Sequence, residues 1–268
     1  MLTGKTALIT GAMGGIGGAI AEALGKQGCR LMMNDIGDAA AHQRRADDLA
    51  RRFGVDISYC NADISDRAQI DRLVDETRAR IGPVDILVNN AVKRHFHSIT
   101  DFPLDEWDQS MAVNVTAPFA LTRLVLGGMQ ERGFGRIINI SSMLGLGGRA
   151  GRVDYITGKT ALLGLTRATA AETLTDRNVT CNAICPGSVL TPIIEKRIQG
   201  LADERQISWQ EMSVRYRANL NQIGDFITPD QIASAIVYLC SDAAAAITGA
   251  SLPVDAGVSA AFVQGPAM

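Results

Sequence analysis

Short apolar runs alternate along the chain with longer segments whose apolar residues recur every three or four positions. The runs Thr6–Thr10, Arg30–Asn34, Asp56–Asn61, Asp85–Asn89, Arg136–Ser141, Val179–Cys185 and Ser251–Val254 are too short for helices. Their largely unbroken apolar character predicts strands covered on both faces. Between them, Ile16–Gln27, Ala39–Phe53, Arg67–Ile81, Leu104–Arg132, Asp154–Leu174 and Pro229–Ser241 read as helices. Asp66 reads as an N-cap, and Thr228 caps a helix that starts at Pro229. Repeated β-α units predict an α/β fold, a doubly wound parallel sheet of about seven strands with helices on both faces. Ligand is expected outside the carboxyl ends of the strands. The rhythm breaks at Thr191–Gln222, a polar, mostly helical insertion that predicts a lid; a surface excursion or subunit contact is the alternative. No linker or repeat divides residues 1–268, so one domain is expected.

The first strand runs into Thr10-Gly11-Ala12-Met13-Gly14-Gly15-Ile16-Gly17, a glycine-rich turn that opens a helix. Strand, turn and helix together make a diphosphate cradle. Gly11 serves the tight turn, Gly15 the approach of backbone to phosphate, and Gly17 the packing of helix on sheet. Such a cradle makes the sheet one of Rossmann type. Asn34-Asp35 ends the second strand, where an acid accepts both ribose hydroxyls and repels a 2′-phosphate, so Asp35 points to NAD over NADP. Asp38 lies farther on and reads better as a helix cap. Asp63, ending the third strand, can meet an adenine amino group or serve a turn.

Tyr155-Ile156-Thr157-Gly158-Lys159 places a phenol and an ammonium on one helix face. A phenol with a pKa of about 10 is a poor base at neutral pH, and a nearby cation favours phenolate. The pair therefore suits Tyr155 to acid/base work beside a hydride transfer. Other classes lose ground. A formal net charge of −2 makes no case for nucleic acid or anionic membrane, and 47% hydrophobic with 20% charged residues is ordinary for a globular protein. No uninterrupted apolar run approaches about 18 residues, so no membrane span is expected. The start, Met1 to Lys5, lacks a signal-peptide layout, which predicts a cytoplasmic location. Five scattered cysteines read as small buried hydrophobes. His95 and His97 lack a third ligand cluster, so no metal is expected and loop histidines near a substrate pocket fit better.

These residues resemble the short-chain dehydrogenases/reductases along essentially the whole chain. The matching motifs are Thr10 to Gly17, Asn89-Asn90-Ala91, Asn114 in Ala112-Val113-Asn114-Val115, Ser142 in Asn139-Ile140-Ser141-Ser142, Tyr155 with Lys159, Pro186-Gly187 and Val254-Asp255. The resemblance implies a catalytic set of Asn114, Ser142, Tyr155 and Lys159. In it Ser142 holds the reacting oxygen, Asn114 a water beside the lysine, and Lys159 also the nicotinamide ribose. The 13-residue step from Ser142 to Tyr155 selects Ser142 over Ser141. The implied cofactor set is Gly11, Met13, Gly15, Ile16, Gly17, Asp35, Asp63, Ile64, Asn90, Tyr155, Lys159, Pro186, Gly187, Val189 and Thr191. A homotetramer is implied too. Val92 and Ala256 stand where the family has glycine, the second expected to be harmless. A catalytically silent dinucleotide-binding scaffold is the competing class, but it would not need a phenol and ammonium at this spacing.

Within the family the chain resembles D-3-hydroxybutyrate dehydrogenases, through Gly135 to Ile140, Asn182 to Gly187, Thr191-Pro192 followed by Glu195-Lys196, and Ser241 to Ala245. The positions that hold the substrate carboxylate there correspond here to Arg94, Leu144, Arg152 and Arg197. Arg152 and Arg197 also resemble the sulfonate-binding pair of 2-hydroxypropyl-coenzyme M dehydrogenases. Guanidinium forks suit carboxylate, sulfonate or phosphate. A small anionic substrate is therefore expected at Arg94, Ser142, Arg152, Tyr155 and Arg197, with a sugar acid such as gluconate as competitor. Any single arginine could instead be a solvated charge or pair with Asp154 or Glu195.

Overall fold

The computed structural model describes residues 2–176, 178–218 and 224–260. Seven strands, β1 (Thr6–Thr10), β2 (Arg30–Asn34), β3 (Ile57–Cys60), β4 (Ile86–Asn89), β5 (Gly135–Ile140), β6 (Val179–Pro186) and β7 (Ser251–Val254), form one sheet. They are all parallel, in the order β3-β2-β1-β4-β5-β6-β7. The winding reverses between β1 and β4, which leaves a crevice at the carboxyl end of β1. Strand residues alternate between two cores. Ile9, Leu31, Met33, Val88 and Ile138 point to one, while Leu8, Met32, Leu87 and Ile137 point to the other. This double burial is why the strands read as unbroken apolar runs. Pro253 is tolerated in β7 because that strand is an edge.

The first core is closed by α1 (Gly15–Lys26), α2 (Ala39–Phe53) and α9 (Pro229–Cys240). The second is closed by α3 (Arg67–Arg80), α5 (Ala117–Arg132) and α6 (Val153–Glu172). Asp38 and Asp66 cap α2 and α3, and Thr228 with Gln231 forms a capping box on α9. All five cysteines are buried.

The helix expected over Leu104–Arg132 is interrupted: α4 (Leu104–Met111) passes through a π-helical turn, Ala112–Thr116, into α5. Pro118 lacks an N–H to continue the α-helical ladder, and the turn's widened bond runs from the Ala117 N–H to the Ala112 carbonyl. Within 104–132 an 18-residue window reaches a mean hydropathy of 1.2, enough by length and composition alone for a membrane span, which interspersed polar residues hide from a search for unbroken runs. In this fold Leu121, Val125 and Met129 bury its apolar edge in the second core.

The insertion after β6 folds as two helices, α7 (Pro192–Arg205) and α8 (Trp209–Ala218). They share a small core of Ile198, Ala202 and Met212, flanked by Ile194, Trp209 and Tyr216. Positions 219–222 of the expected lid lie outside the described residues.

Candidate active site

A cavity of about 630 Å³ opens at the carboxyl end of the sheet, under α7 and α8. One end is the glycine turn. Gly11 has φ +63°, and a side chain there would meet Ala91 and Asn90, so only glycine fits without strain. A Cβ on Gly17 would overlap the Gly11 carbonyl oxygen. Whereas Asp38, Asp66, Thr191 and Thr228 cap their helices, α1 begins at Gly14 with no side-chain cap. Its first-turn amides open on the cavity that Gly14, Gly15, Ile16 and Gly17 line, a donor set suited to diphosphate.

Asn90 donates its side-chain amide to the carbonyls of Thr10 and Gly11, both at 2.9 Å, and so locks the turn. Asp35 lines the cavity, its carboxylate oriented by the N–H groups of Met13 and Ile36, each 2.9 Å away. Asp38 caps α2, as expected. Asp63 also lines the cavity, with one oxygen taken by the Ser65 N–H and hydroxyl. Ile64, Pro186, Gly187, Val189 and Thr191 complete this side. A Cβ on Gly15 would meet Thr191 Cβ at 2.8 Å and Pro192 Cδ at 3.2 Å, so the space that glycine leaves is shared with the root of α7. Met13 is the exception: its N–H orients Asp35, and its side chain packs against the first core.

At the other end, α6 carries the phenol and the lysine. The strand end at Ser141 and Ser142 separates their roles. Ser141 donates to the Lys159 carbonyl at 2.7 Å and is spent on packing α6, while Ser142 accepts from the Leu144 N–H at 3.1 Å and lines the cavity. Lys159 is buried behind the cavity wall and donates to the Ile140 carbonyl at 2.6 Å. Burial, with the Arg94 charge added, pushes its ammonium down to about 7. Its Nζ lies 5.7 Å from the centre of the Tyr155 ring. Asn114 sits in the π-helical turn with both side-chain ends engaged, donating to the Lys93 carbonyl at 2.7 Å and accepting the Lys93 N–H at 3.0 Å. Gly158 permits this approach of α6, since a Cβ there would stand 2.8 Å from Asn114 Cβ.

The arginines divide. Arg152 and Arg94 line the cavity; exposed Arg197 does not, standing 5.5 Å from the centre of the Phe96 ring. It is separated from Arg152 by that ring and lies outside the cavity lining in this structure. Arg152 stacks its guanidinium 4.3 Å from the centre of the Phe96 ring and 4.6 Å from that of Tyr155, and its buried Nε has no hydrogen-bond partner among the described residues. Burial pushes Arg152 down, opposed by the field of Tyr155 and reinforced by Arg94 and Arg149. Asp154 does not pair with an arginine: it is fully buried and accepts from Ser110, His95 and Tyr155. His95 and His97 engage Ser110 and Glu106 beside the pocket, and no metal-ligating cluster occurs among the described residues.

Residues 11–259 match the family described as Enoyl-(Acyl carrier protein) reductase. The chain belongs to the short-chain dehydrogenases/reductases. This dehydrogenase/reductase is 40% identical over 257 residues to D-beta-hydroxybutyrate dehydrogenase of Cupriavidus necator, covering 96% of this chain and 98% of that one. It is 37% identical to the protein of the same name from Rhizobium meliloti, covering 96% and 99%. Among solved structures, L-sorbose reductase from Gluconobacter frateurii, complexed with NADPH and L-sorbose, superposes with a TM-score of 0.91 at 30% identity, covering 97% and 98% of the two chains.

The cavity also contains residues that the sequence pattern did not single out. Arg149, Lys93 and Met143 come from the segments that follow β4 and β5, and Ile193, Ile194 and Tyr216 from the two inserted helices. Arg149 had a local signal, since Gly148-Arg149 repeats three residues on as Gly151-Arg152. Tyr216 had none, because only the packing of α8 on α7 brings it over the cavity.

Proposed function

We propose that this short-chain dehydrogenase/reductase interconverts a secondary alcohol and its ketone with NAD, on a small substrate bearing a carboxylate or sulfonate. The observation that carries the anionic substrate is Arg152, a half-buried guanidinium stacked on the ring of Tyr155, whose Nε has no partner among the described residues. No ion pair to Arg94, Arg149, Arg152 or Arg197 occurs among the described residues, so their charge is left for a ligand.

The dinucleotide fits the uncapped start of α1, with Asp35 at its ribose end. When bound, its nicotinamide supplies the hydride acceptor or donor. Tyr155 exchanges the proton at the substrate oxygen, and Ser142 donates its hydroxyl proton to that same oxygen while its own lone pair accepts from Leu144. Lys159 stabilises the phenolate from behind and meets the ribose hydroxyls; Asn114, by fixing Lys93, holds the wall beside it and a water that leads to solvent. Arg94 and Arg152 orient the anionic group, and Arg197 adds its charge from the rim. The reading includes a cytoplasmic homotetramer, which sedimentation of the purified protein would test.

The deciding experiment is a panel of hydroxy acids, hydroxysulfonates, sugar acids and neutral secondary alcohols, each assayed with NAD and NADP. A neutral alcohol outperforming every anionic one would reject the anionic substrate.

A further inference from the structure

Asp154 precedes the phenol in the first turn of α6, and its side chain is completely shielded from solvent. The oxygens of a carboxyl group in such a place need donors in place of water. Its Oδ1 accepts from the Tyr155 N–H at 2.6 Å, a bond within its own helix. Its Oδ2 reaches outside, accepting the Ser110 hydroxyl of α4 at 2.7 Å and the His95 N–H at 2.9 Å. The His95 ring closes the triangle, with Nδ1 3.1 Å from Ser110 Oγ.

The neighbours of His95 give this junction its meaning. Arg94 lines the substrate end of the cavity, and the Phe96 ring lies under the guanidinium groups of both Arg152 and Arg197. One carboxylate thus joins the helix that carries Tyr155 to the segment that carries Arg94 and the Phe96 ring. We propose that Asp154 is a positioning residue for substrate: it sets the span from Arg94 and Phe96 to Tyr155 without touching the substrate itself. The inference rests on Arg94 meeting substrate, as the proposed function has it. A mere helix cap would need only the bond to Tyr155 and would have no use for Ser110 or for a backbone N–H 59 residues away.

Asp154→Asn keeps the shape and replaces one acceptor oxygen with a donor. Steady-state kinetics use the alcohol that the wild type prefers in the panel, whatever its charge. KM is expected to rise about tenfold, the loss of one charge-assisted hydrogen bond, with kcat within about threefold. NAD affinity, followed by protein fluorescence, stays at the wild-type value. Ser110→Ala, which leaves the carboxylate and α6 intact, should raise KM about threefold in the same manner, and it carries the test if Asp154→Asn does not fold. A fall in kcat with KM unmoved, or a lower melting temperature with both constants unmoved, would overturn the proposal. A panel won by a neutral alcohol would refute the anionic substrate and leave this KM test standing.

Discussion

The guanidinium carbon of Arg152 lies 4.6 Å from the centre of the Tyr155 ring, so the cation that would grip a substrate rests on the phenol that would exchange its proton. Stacking of this kind orients the fork as well as attracting it. Arg152→Ala should therefore cost about 2–5 kcal/mol in kcat/KM for the true, anionic substrate. A neutral ketone analogue should be turned over almost as before. Arg197→Ala, at an exposed position one ring away, should cost less, about 1 kcal/mol. Equal losses for charged and neutral substrates would show a damaged fold instead of a lost contact.

Tyr155→Phe removes the proton carrier and keeps the ring under Arg152. Turnover should fall by about 10²–10⁴-fold while NAD affinity stays nearly intact. Substantial residual turnover would assign the acid/base work to another group.

Asp35 already has its carboxylate aimed by two backbone N–H groups, so a 2′-phosphate meets a fixed negative charge. NADP should be disfavoured by about 2–4 kcal/mol, and Asp35→Ala should erase most of that difference. Equal kcat/KM for the two dinucleotides in the wild type would refute the assignment.

Lys159 makes stability depend on pH. Its ammonium is held near 7 in the fold, against an ordinary value of 10.5 in the unfolded chain. Below about pH 7 it is charged in both states and the burial penalty is full. Above that, the folded protein sheds the proton while the unfolded chain keeps it, so stability rises toward pH 10.5, by about 1.4 kcal/mol per pH unit. Cys29, Cys181 and Cys240, pushed up to about 12 by burial, oppose the trend once pH passes 9. Without dinucleotide, the advantage in melting temperature of Lys159→Met over wild type should be greatest near about pH 6 and narrow by about pH 8.5. Parallel melting curves across that range would mean that the lysine keeps its proton.

Ala256 adopts φ +54°, the left-handed region where a Cβ is strained, so the replacement of the family glycine is not free of cost. Ala256→Gly should stabilise the protein by about 0.5–1 kcal/mol, the strain relief less the added entropy of the unfolded chain. Chemical denaturation would measure it, and no gain would place the cost elsewhere.

The parts legible in sequence are those in which neighbours in the chain are neighbours in space. The turn from Thr10 to Gly17, the phenol and lysine one helical turn apart, and the caps Asp38, Asp66 and Thr228 are all of this kind. The π-helical turn escaped because one widened bond leaves the apolar spacing of 104–132 almost unchanged. The role of Asp154 escaped because its partners outside α6 lie 44 and 59 residues away. Arg197 looked equivalent to Arg152 because resemblance aligns positions, whereas the direction of a side chain from α7 is decided by how that helix packs.

Gly15 has a consequence for reading tolerance to substitution. Its missing side chain leaves room for Thr191 and Pro192 as much as for a phosphate. A survey of replacements at position 15 would find nearly every one harmful, and the harm would persist in a background already unable to hold a dinucleotide. Intolerance there reports two tenants of one space, and only a compensating smaller residue at 191 would tell them apart.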